Sequence, residues 1–154
     1  SEGKPWQAHP AEAVVDQMVD THGRKGKAAA AGFYEYPATG KKHLWAGLVD
    51  QYVNAEKARD ADLQTLKDRL LFIQAIETAR CLEENVLRTV RDGNIGSIFG
   101  LGFAPWSGGA LQYINQYGVR AFVERAHALA AQFGDRFAPP ALLVQAAERQ
   151  QMLV

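Results

Sequence analysis

Four histidines, His9, His22, His43 and His127, and one cysteine, Cys81, are the side chains best suited to hold a metal or act as nucleophiles. No two of the histidines stand four residues apart and no second thiol exists, so the spacing argues against a zinc site. Cys81 falls between two apolar stripes of a helical pattern, where a free thiol behaves as a small hydrophobe rather than a nucleophile. Gly100-Leu101-Gly102 invites a dinucleotide reading, but that chemistry needs a preceding strand, a third glycine and an acidic residue about 20 positions on. Residues 94–99 read instead as a short helix. The expectation for 100–109 is a tight loop whose glycines permit close backbone packing, with Phe103 and Trp106 plugging the gap. Ser107-Gly108-Gly109 at a helix start could still hold an anion on free N–H groups. Arg24-Lys25-Gly26-Lys27 could meet the phosphate of a nucleotide or of coenzyme A, or could be a solvated turn whose charge complements a helix end. The alanines at 28–31 argue for tight packing there.

These residues must be positioned by helices, because no window alternates apolar and polar residues as a half-buried strand does. Proline is favoured at the first helical position, so His9-Pro10 opens a helix carrying Val14, Val15, Met18 and Val19, and Gly23 stops it. Phe33-Tyr34-Glu35-Tyr36-Pro37 is a compact aromatic cluster ended by a turn at Thr39-Gly40-Lys41. A weakly helical pattern covers 44–52, and the charged window 54–62 reads as a linker or an exposed helix start. The strongest signal predicts a helix of about 25 residues over 66–90, central in a bundle because two of its faces are apolar. Leu66, Leu70 and Ile73 form one stripe; Phe72, Ile76, Ala79, Leu82, Val86 and Val90 form the other. Glu84 and Arg88 are spaced to pair on that helix. Residues 93–109 are expected to break regular structure. Further helices are predicted at 107–116 and 119–133, and Pro139-Pro140 restarts one that runs to the C-terminus. The class is all-α, divided as 1–48, a linker at 49–62, and 63–154.

The chain has 154 residues, 47% of them apolar, with 17 Lys and Arg against 17 Asp and Glu. Such a chain buries enough surface to fold without disulfides or metal, and its single cysteine fits a reducing cytoplasm. Balanced charge gives no support to nucleic acid as a partner. The longest stretch free of charged residues, 93–119, holds seven glycines and a proline, which is not the continuous apolar run of a transmembrane segment. The N-terminus shows no signal peptide, and its lack of a starting Met suggests a processed or truncated chain.

Two stretches resemble one family. Gly3-Lys4-Pro5, His9-Pro10, Met18-Val19, Gly23-Arg24 and Gly32-Phe33-Tyr34-Glu35-Tyr36 resemble the end of the first C-terminal helical unit of bacterial 3-hydroxyacyl-CoA dehydrogenases. That unit closes with a Gly-Arg element, a basic glycine-rich turn and Gly-Phe-Tyr-x-Tyr. Gly40-Lys41-Lys42, Leu44-Trp45 and Gly47-Leu48 resemble the linker after it. Asp68-Arg69-Leu70-Leu71 and the run from Glu77 to Glu84 resemble the second helical repeat of the family's multifunctional members, the fatty-acid oxidation proteins. So do the run from Asn94 to Phe103 and the run from Trp106 to Ile114.

The resemblance implies an all-α bundle like the C-terminal domains of 6-phosphogluconate dehydrogenase-like and 3-hydroxyacyl-CoA dehydrogenases, 1–48 being the trailing part of the first repeat and 63–154 the second. It implies a parent enzyme of fatty-acid β-oxidation that oxidises (3S)-3-hydroxyacyl-CoA to the 3-keto ester with NAD, a hydratase preceding it in multifunctional members. The family's nucleotide-binding domain and its catalytic His-Glu pair lie upstream, so this chain is expected to hold neither NAD nor catalytic residues. An Asn assists the substrate in the family's first repeat; the matching position here is Asp68, which points to a repeat without that role. Expected partners are the upstream nucleotide-binding domain, the first helical repeat, 3-hydroxyacyl-CoA through the parent enzyme, and a thiolase subunit. Candidate interface or substrate-site residues are Asp68, Arg69, Gly100, Gly102, Phe103, Trp106, Gly108 and Gly109. A free-standing helical module binding an acyl-CoA or a partner protein is the alternative.

Overall fold

The computed structural model describes residues 10–154; Gly3-Lys4-Pro5 and His9 of the sequence motifs lie outside them. Among the described residues there are eight α-helices and one ladder of two very short strands, an all-α architecture. The chain divides into two compact units, Ser1–Asp60 and Ala61–Val154.

In the first unit α1 (Pro10–Asp16) continues into a π-helical turn, Gln17–Thr21, and Met18 is its buried residue. Strands β1 (Tyr34–Glu35) and β2 (His43–Leu44) pair antiparallel, an element that periodicity cannot reveal at two residues per strand. Helices α2 (Gly47–Tyr52) and α3 (Ala55–Arg59) follow, so the charged window is largely helical. Ala28, Ala29 and Ala30 are exposed, which corrects the expectation of tight packing. They belong to a 3-10 turn closed by Ala30 in the left-handed region (φ 55°), where a small side chain is an advantage for conformation rather than for packing.

The second unit is built on α4 (Leu63–Glu83). Phe72, Ala75, Ile76 and Ala79 are fully buried against α6 (Ala110–Tyr117), α7 (Val119–Phe133) and α8 (Ala141–Glu148). Phe72 and Phe122 stack with ring centres 4.0 Å apart, and the rings of Tyr113 and Tyr117 meet Phe72 edge-on. One helix over 66–90 does not exist. Asn85 takes a left-handed conformation (φ 59°) and the Leu87 N–H folds back onto the Cys81 carbonyl. Thr89 then caps a new helix, α5 (Val90–Leu101), by accepting from the Asp92 N–H. Glu84 and Arg88 therefore fall on a turn, and Val86 is exposed.

Residues 93–101 are helical, in agreement with the short helix read at 94–99 and against the break in regular structure expected from Gly93 onward. Gly93 is needed inside α5: a Cβ there would stand 2.8 Å from Leu111 Cδ1. Glycine in a helix costs about 1 kcal/mol relative to alanine, and close helix packing offsets it here. The stripe of Leu66, Leu70 and Ile73 on α4 is only partly covered: Ile73 packs against the core, but Leu66 and Leu70 are exposed. The helix predicted at 107–116 starts at Ala110, after a 3-10 turn at Pro105–Ser107. The last helix stops at Glu148, and the tail returns to the bundle: Asn115 donates to the Leu153 carbonyl and accepts from its N–H, both at 2.9 Å.

Candidate functional site

The glycine-rich motif is the connection from α5 to α6. Gly102 ends α5 in the left-handed region (φ 72°), its N–H bonded to the Ile98 carbonyl, and the Phe103 N–H reaches the Ser97 carbonyl at 2.9 Å. Phe103 is thereby driven into the core against Tyr113. Gly109 lies so close to α5 that a Cβ would sit 2.5 Å from Asn94 Cα. That approach lets Asn94 Oδ1 accept from the N–H groups of Leu111 (3.0 Å) and Gln112 (2.9 Å). Ser97 Oγ accepts from Ala110 N–H at 3.0 Å, and Ser107 Oγ from Gly109 N–H at 3.2 Å.

These bonds answer the anion question. The N–H groups of Ser107 and Gly108 are spent on the carbonyls of Ala104 and Pro105, that of Gly109 on Ser107 Oγ, and those of Ala110, Leu111 and Gln112 on Ser97 and Asn94 of α5, so the motif locks two helices together. Gly100 and Gly102 fit a dinucleotide no better, because they sit at a helix C-terminus, where carbonyls and the negative end of the helix dipole face outward. Trp106 fills no gap: it is 71% exposed, with its ring edge-to-face to Tyr113 at a centroid separation of 6.5 Å. Proline at the first position of its 3-10 turn directs the indole outward while Ser107 is buried.

Asp68 and Arg69 lie on the N-terminal half of α4. Asp68 is 2% exposed; its carboxylate accepts from Gln64 Nε2 at 2.8 Å and from Arg125 Nε at 2.7 Å. Arg125 extends to Thr65 Oγ1 at 3.0 Å, whose hydroxyl donates to Asp62. Asp62 is the N-cap of α4, and this hydroxyl, with the N–H groups of Gln64 and Thr65, holds its carboxyl below the usual carboxylate range. Burial, with the negative charge of Asp68 second, pushes the Tyr113 phenol up to about 12. Tyr113 thus links the two groups of candidate residues: it senses Asp68, and its ring meets both Phe103 and Trp106. Arg69 stacks its guanidinium 4.3 Å over Phe133, its buried Nε without a hydrogen-bond partner. Gly108 (φ 75°) serves the turn alone.

Arg125 was not among the candidate residues, although its signal is in the sequence: a cation at the edge of the inward stripe Phe122, Ala126, Leu129 of α7 calls for a buried carboxylate. Asn94 and Ser97, the residues that join α5 to α6, stood in the family motif without a role assigned.

A groove of about 410 Å³ runs between α4 and α5, lined by Ile73, Cys81, Leu87, Gly96 and Leu101. Burial, then the charges of Glu77 and Glu84, pushes the Cys81 thiol up, so it is no activated nucleophile. Outside the groove lining, Leu70 (67% exposed) and Phe99 (86%) are apolar side chains left in solvent. In the first unit the basic run does not act as a whole. Arg24 is a structural staple, donating to the carbonyls of Gly32 (2.6 Å) and Tyr34 (3.2 Å), pairing with Glu35 at 3.0 Å and lying over Trp45.

Among the described residues no helix is long and apolar enough to cross a membrane. No protein-family profile matches the chain. The chain is 38% identical over 138 residues to the fatty acid oxidation complex subunit alpha of Shewanella loihica, a match covering 90% of this chain and 19% of that protein. The subunit of the same name from Shewanella sp. strain ANA-3 is 37% identical over 144 residues, covering 90% and 20%. That of Vibrio campbellii is 37% identical over 136 residues, covering 88% and 19%. The chain spans about a fifth of the length of these relatives. It is a homologue of one segment of the fatty acid oxidation complex alpha subunits.

Proposed function

We propose that this chain is the C-terminal helical region of a β-oxidation 3-hydroxyacyl-CoA dehydrogenase, an NAD-dependent enzyme of the cytoplasm, and that its task is to hold the parts of that enzyme together. The observation that carries the reading is apolar surface on α4, α5 and the turn after them that the second unit does not cover. Leu66 and Leu70 of α4, Ile95, Phe99 and Leu101 of α5, and Trp106 are all exposed. Gly96 and Gly100, next in sequence to Ile95 and Phe99 on α5, are themselves exposed, and a Cβ on either would meet nothing within 4 Å. Two helical glycines that the chain's own packing does not require, beside exposed aromatic and branched side chains, suit a closely packed neighbour. The neighbour on this reading is the preceding helical repeat of the same enzyme.

The polar groups support a scaffold. Asp68 stands where the family's first repeat has its substrate-assisting Asn, yet both its oxygens are engaged, one by Gln64 and one by Arg125. Such a carboxylate clamps α4 to α7. Tyr113 keeps its proton through the physiological range, and the Cys81 thiol does the same. Oxidation of a hydroxyl requires a base placed on its proton, and this reading assigns that base to the nucleotide-binding part of the enzyme.

The test is NADH-dependent reduction of acetoacetyl-CoA by the separately expressed remainder of the enzyme, with and without this chain, beside the chain alone. Activity that appears only on mixing is the expected result. Full activity of the remainder alone, unchanged by mixing, overturns the scaffold reading and favours a free-standing binding module.

A further inference from the structure

The first unit carries a charged feature separate from the apolar surface of the helical unit. Over the whole chain the charges balance, 17 against 17. Between positions 24 and 43, however, stand Arg24, Lys25, Lys27, Lys41 and Lys42, with Glu35 as the one carboxylate. Charge segregated in this way within a neutral chain creates a local positive potential that favours an anionic ligand.

The fold gathers these cations around one strand. Antiparallel bridges Gly26 to Ala31 and Ala31 to Glu35 lay the turn carrying Lys25 and Lys27 beside β1. On its other side the β1–β2 ladder, Tyr34 opposite Leu44 and Glu35 opposite His43, brings in Lys41 and Lys42. Lys42 Nζ stands 4.8 Å over the Tyr34 ring. Arg24 and Glu35 neutralise each other while fixing this geometry. The four lysines make no ion pair among the described residues.

A recess of about 250 Å³ opens between α1 and β1, walled by Val15, Met18, Phe33, Tyr34 and Tyr36, with Lys25 also lining it. Pockets that enclose a drug-sized ligand run to about 300–1,000 Å³, so this one takes a single moiety. Apolar and aromatic walls accept a planar ring, while the ammonium of Lys25 in the lining and that of Lys42 over the Tyr34 wall, with Lys27 and Lys41 close to them in the chain, accept the phosphates attached to it.

We propose that the recess binds the base of a nucleotide, with its phosphates held by Lys25 and Lys27 on one side of β1 and by Lys41 and Lys42 on the other. The shared chemistry is an adenosine carrying phosphate esters, present both in an adenosine diphosphate group and in the 3′-phosphorylated form of it found in coenzyme A.

The test is an amide and aromatic-ring NMR titration of the full chain with adenosine 3′,5′-bisphosphate, ADP, adenosine and inorganic phosphate. Saturable shifts at 24–43 with both nucleotides, including the rings of Phe33 and Tyr34, are expected, with far weaker responses to adenosine or phosphate alone. Tighter binding of the bisphosphate identifies the coenzyme A type of ligand, and equal binding identifies the diphosphate type. The exposed-site variant Lys25→Gln/Lys42→Gln should weaken nucleotide binding about tenfold while the amides of α4 to α8 stay in place. In the wild-type chain, binding should weaken as salt is raised, a readout that needs no variant. Absence of saturable shifts at 24–43 overturns the proposal. So does an equal response to inorganic phosphate with the aromatic rings unmoved, or saturation by duplex DNA but not by any mononucleotide.

Discussion

The two units of this chain are stabilised by different means. From Ala61 onward the interior is a continuous apolar core, in which Phe72, Ile76, Leu111, Ile114, Phe122, Leu129 and Leu143 are all fully buried. Before it, Met18 is the one buried large apolar side chain among the described residues, and the conformation is specified by polar staples: Arg24 on two carbonyls and Glu35, and the Tyr52 hydroxyl on Gln17. Hydrogen bonds specify geometry but contribute about 1 kcal/mol each, whereas burying a large apolar side chain contributes about 1.5–3 kcal/mol. The helical unit therefore has the means to resist unfolding, and the first unit has the means to hold a shape but little free energy behind it.

Substitutions sharpen that contrast. The largest effect is expected from Phe72→Ala, which empties the centre of the aromatic cluster and should cost about 3–5 kcal/mol, read as a fall in the denaturation midpoint of the helical unit. A loss under 1 kcal/mol would show that the core is not the source of stability. Asp68→Ala comes next. It strands Arg125, but that side chain is 29% exposed, so solvent relieves it and the expected cost is about 2–3 kcal/mol rather than that of a fully buried orphan. Arg24→Met should cost about 1–2 kcal/mol, confined to the first unit. Hydrogen exchange would then quicken at 24–45 with the midpoint of the helical unit unmoved; a shift of that midpoint would break the comparison.

The smallest effect is a pH dependence. Tyr113 has a folded pKa of about 12 against an ordinary 10.0, so above pH 10 the unfolded chain loses a proton that the folded chain retains. Stability from this group is complete below pH 10 and is lost as pH rises toward 12. Spectroscopic titration of tyrosinate should show Tyr113 ionising near pH 12, above the ordinary value of 10.0. Asp68→Asn should lower its pKa, by less than opening the core around the ring would, because burial is the larger cause.

The sequence made the fold legible where apolar periodicity was long and its punctuation strong. Gly118 and Gly134 bound α7 over the predicted 119–133, and Pro140 immediately precedes α8. Periodicity misled at 84–89, because Val86 and Val90 continue the stripe of α4 in phase although Asn85 turns the chain between them. The helix at 94–99 was legible, but its joining to 90–93 was not, since Gly93 reads as a breaker unless the neighbour it approaches, here Leu111, is already known. The candidate residues clustered only in part. Phe103, Gly102 and Gly109 build the joint between α5 and α6, and Asp68 is tied to a partner 57 residues away whose pairing no local pattern encodes. Trp106 is the instructive case: composition marks it as core, and the structure leaves it in solvent on the surface assigned to a neighbour.

Affinity between this chain and the separately expressed remainder of the proposed enzyme, wild type against Leu70→Ser/Trp106→Ser, tests most directly whether the exposed apolar surface is a contact surface. Both residues are exposed, so the double variant should keep its denaturation midpoint while association weakens by at least about tenfold, as hot-spot substitutions do. Unchanged affinity with an unchanged midpoint would contradict the account.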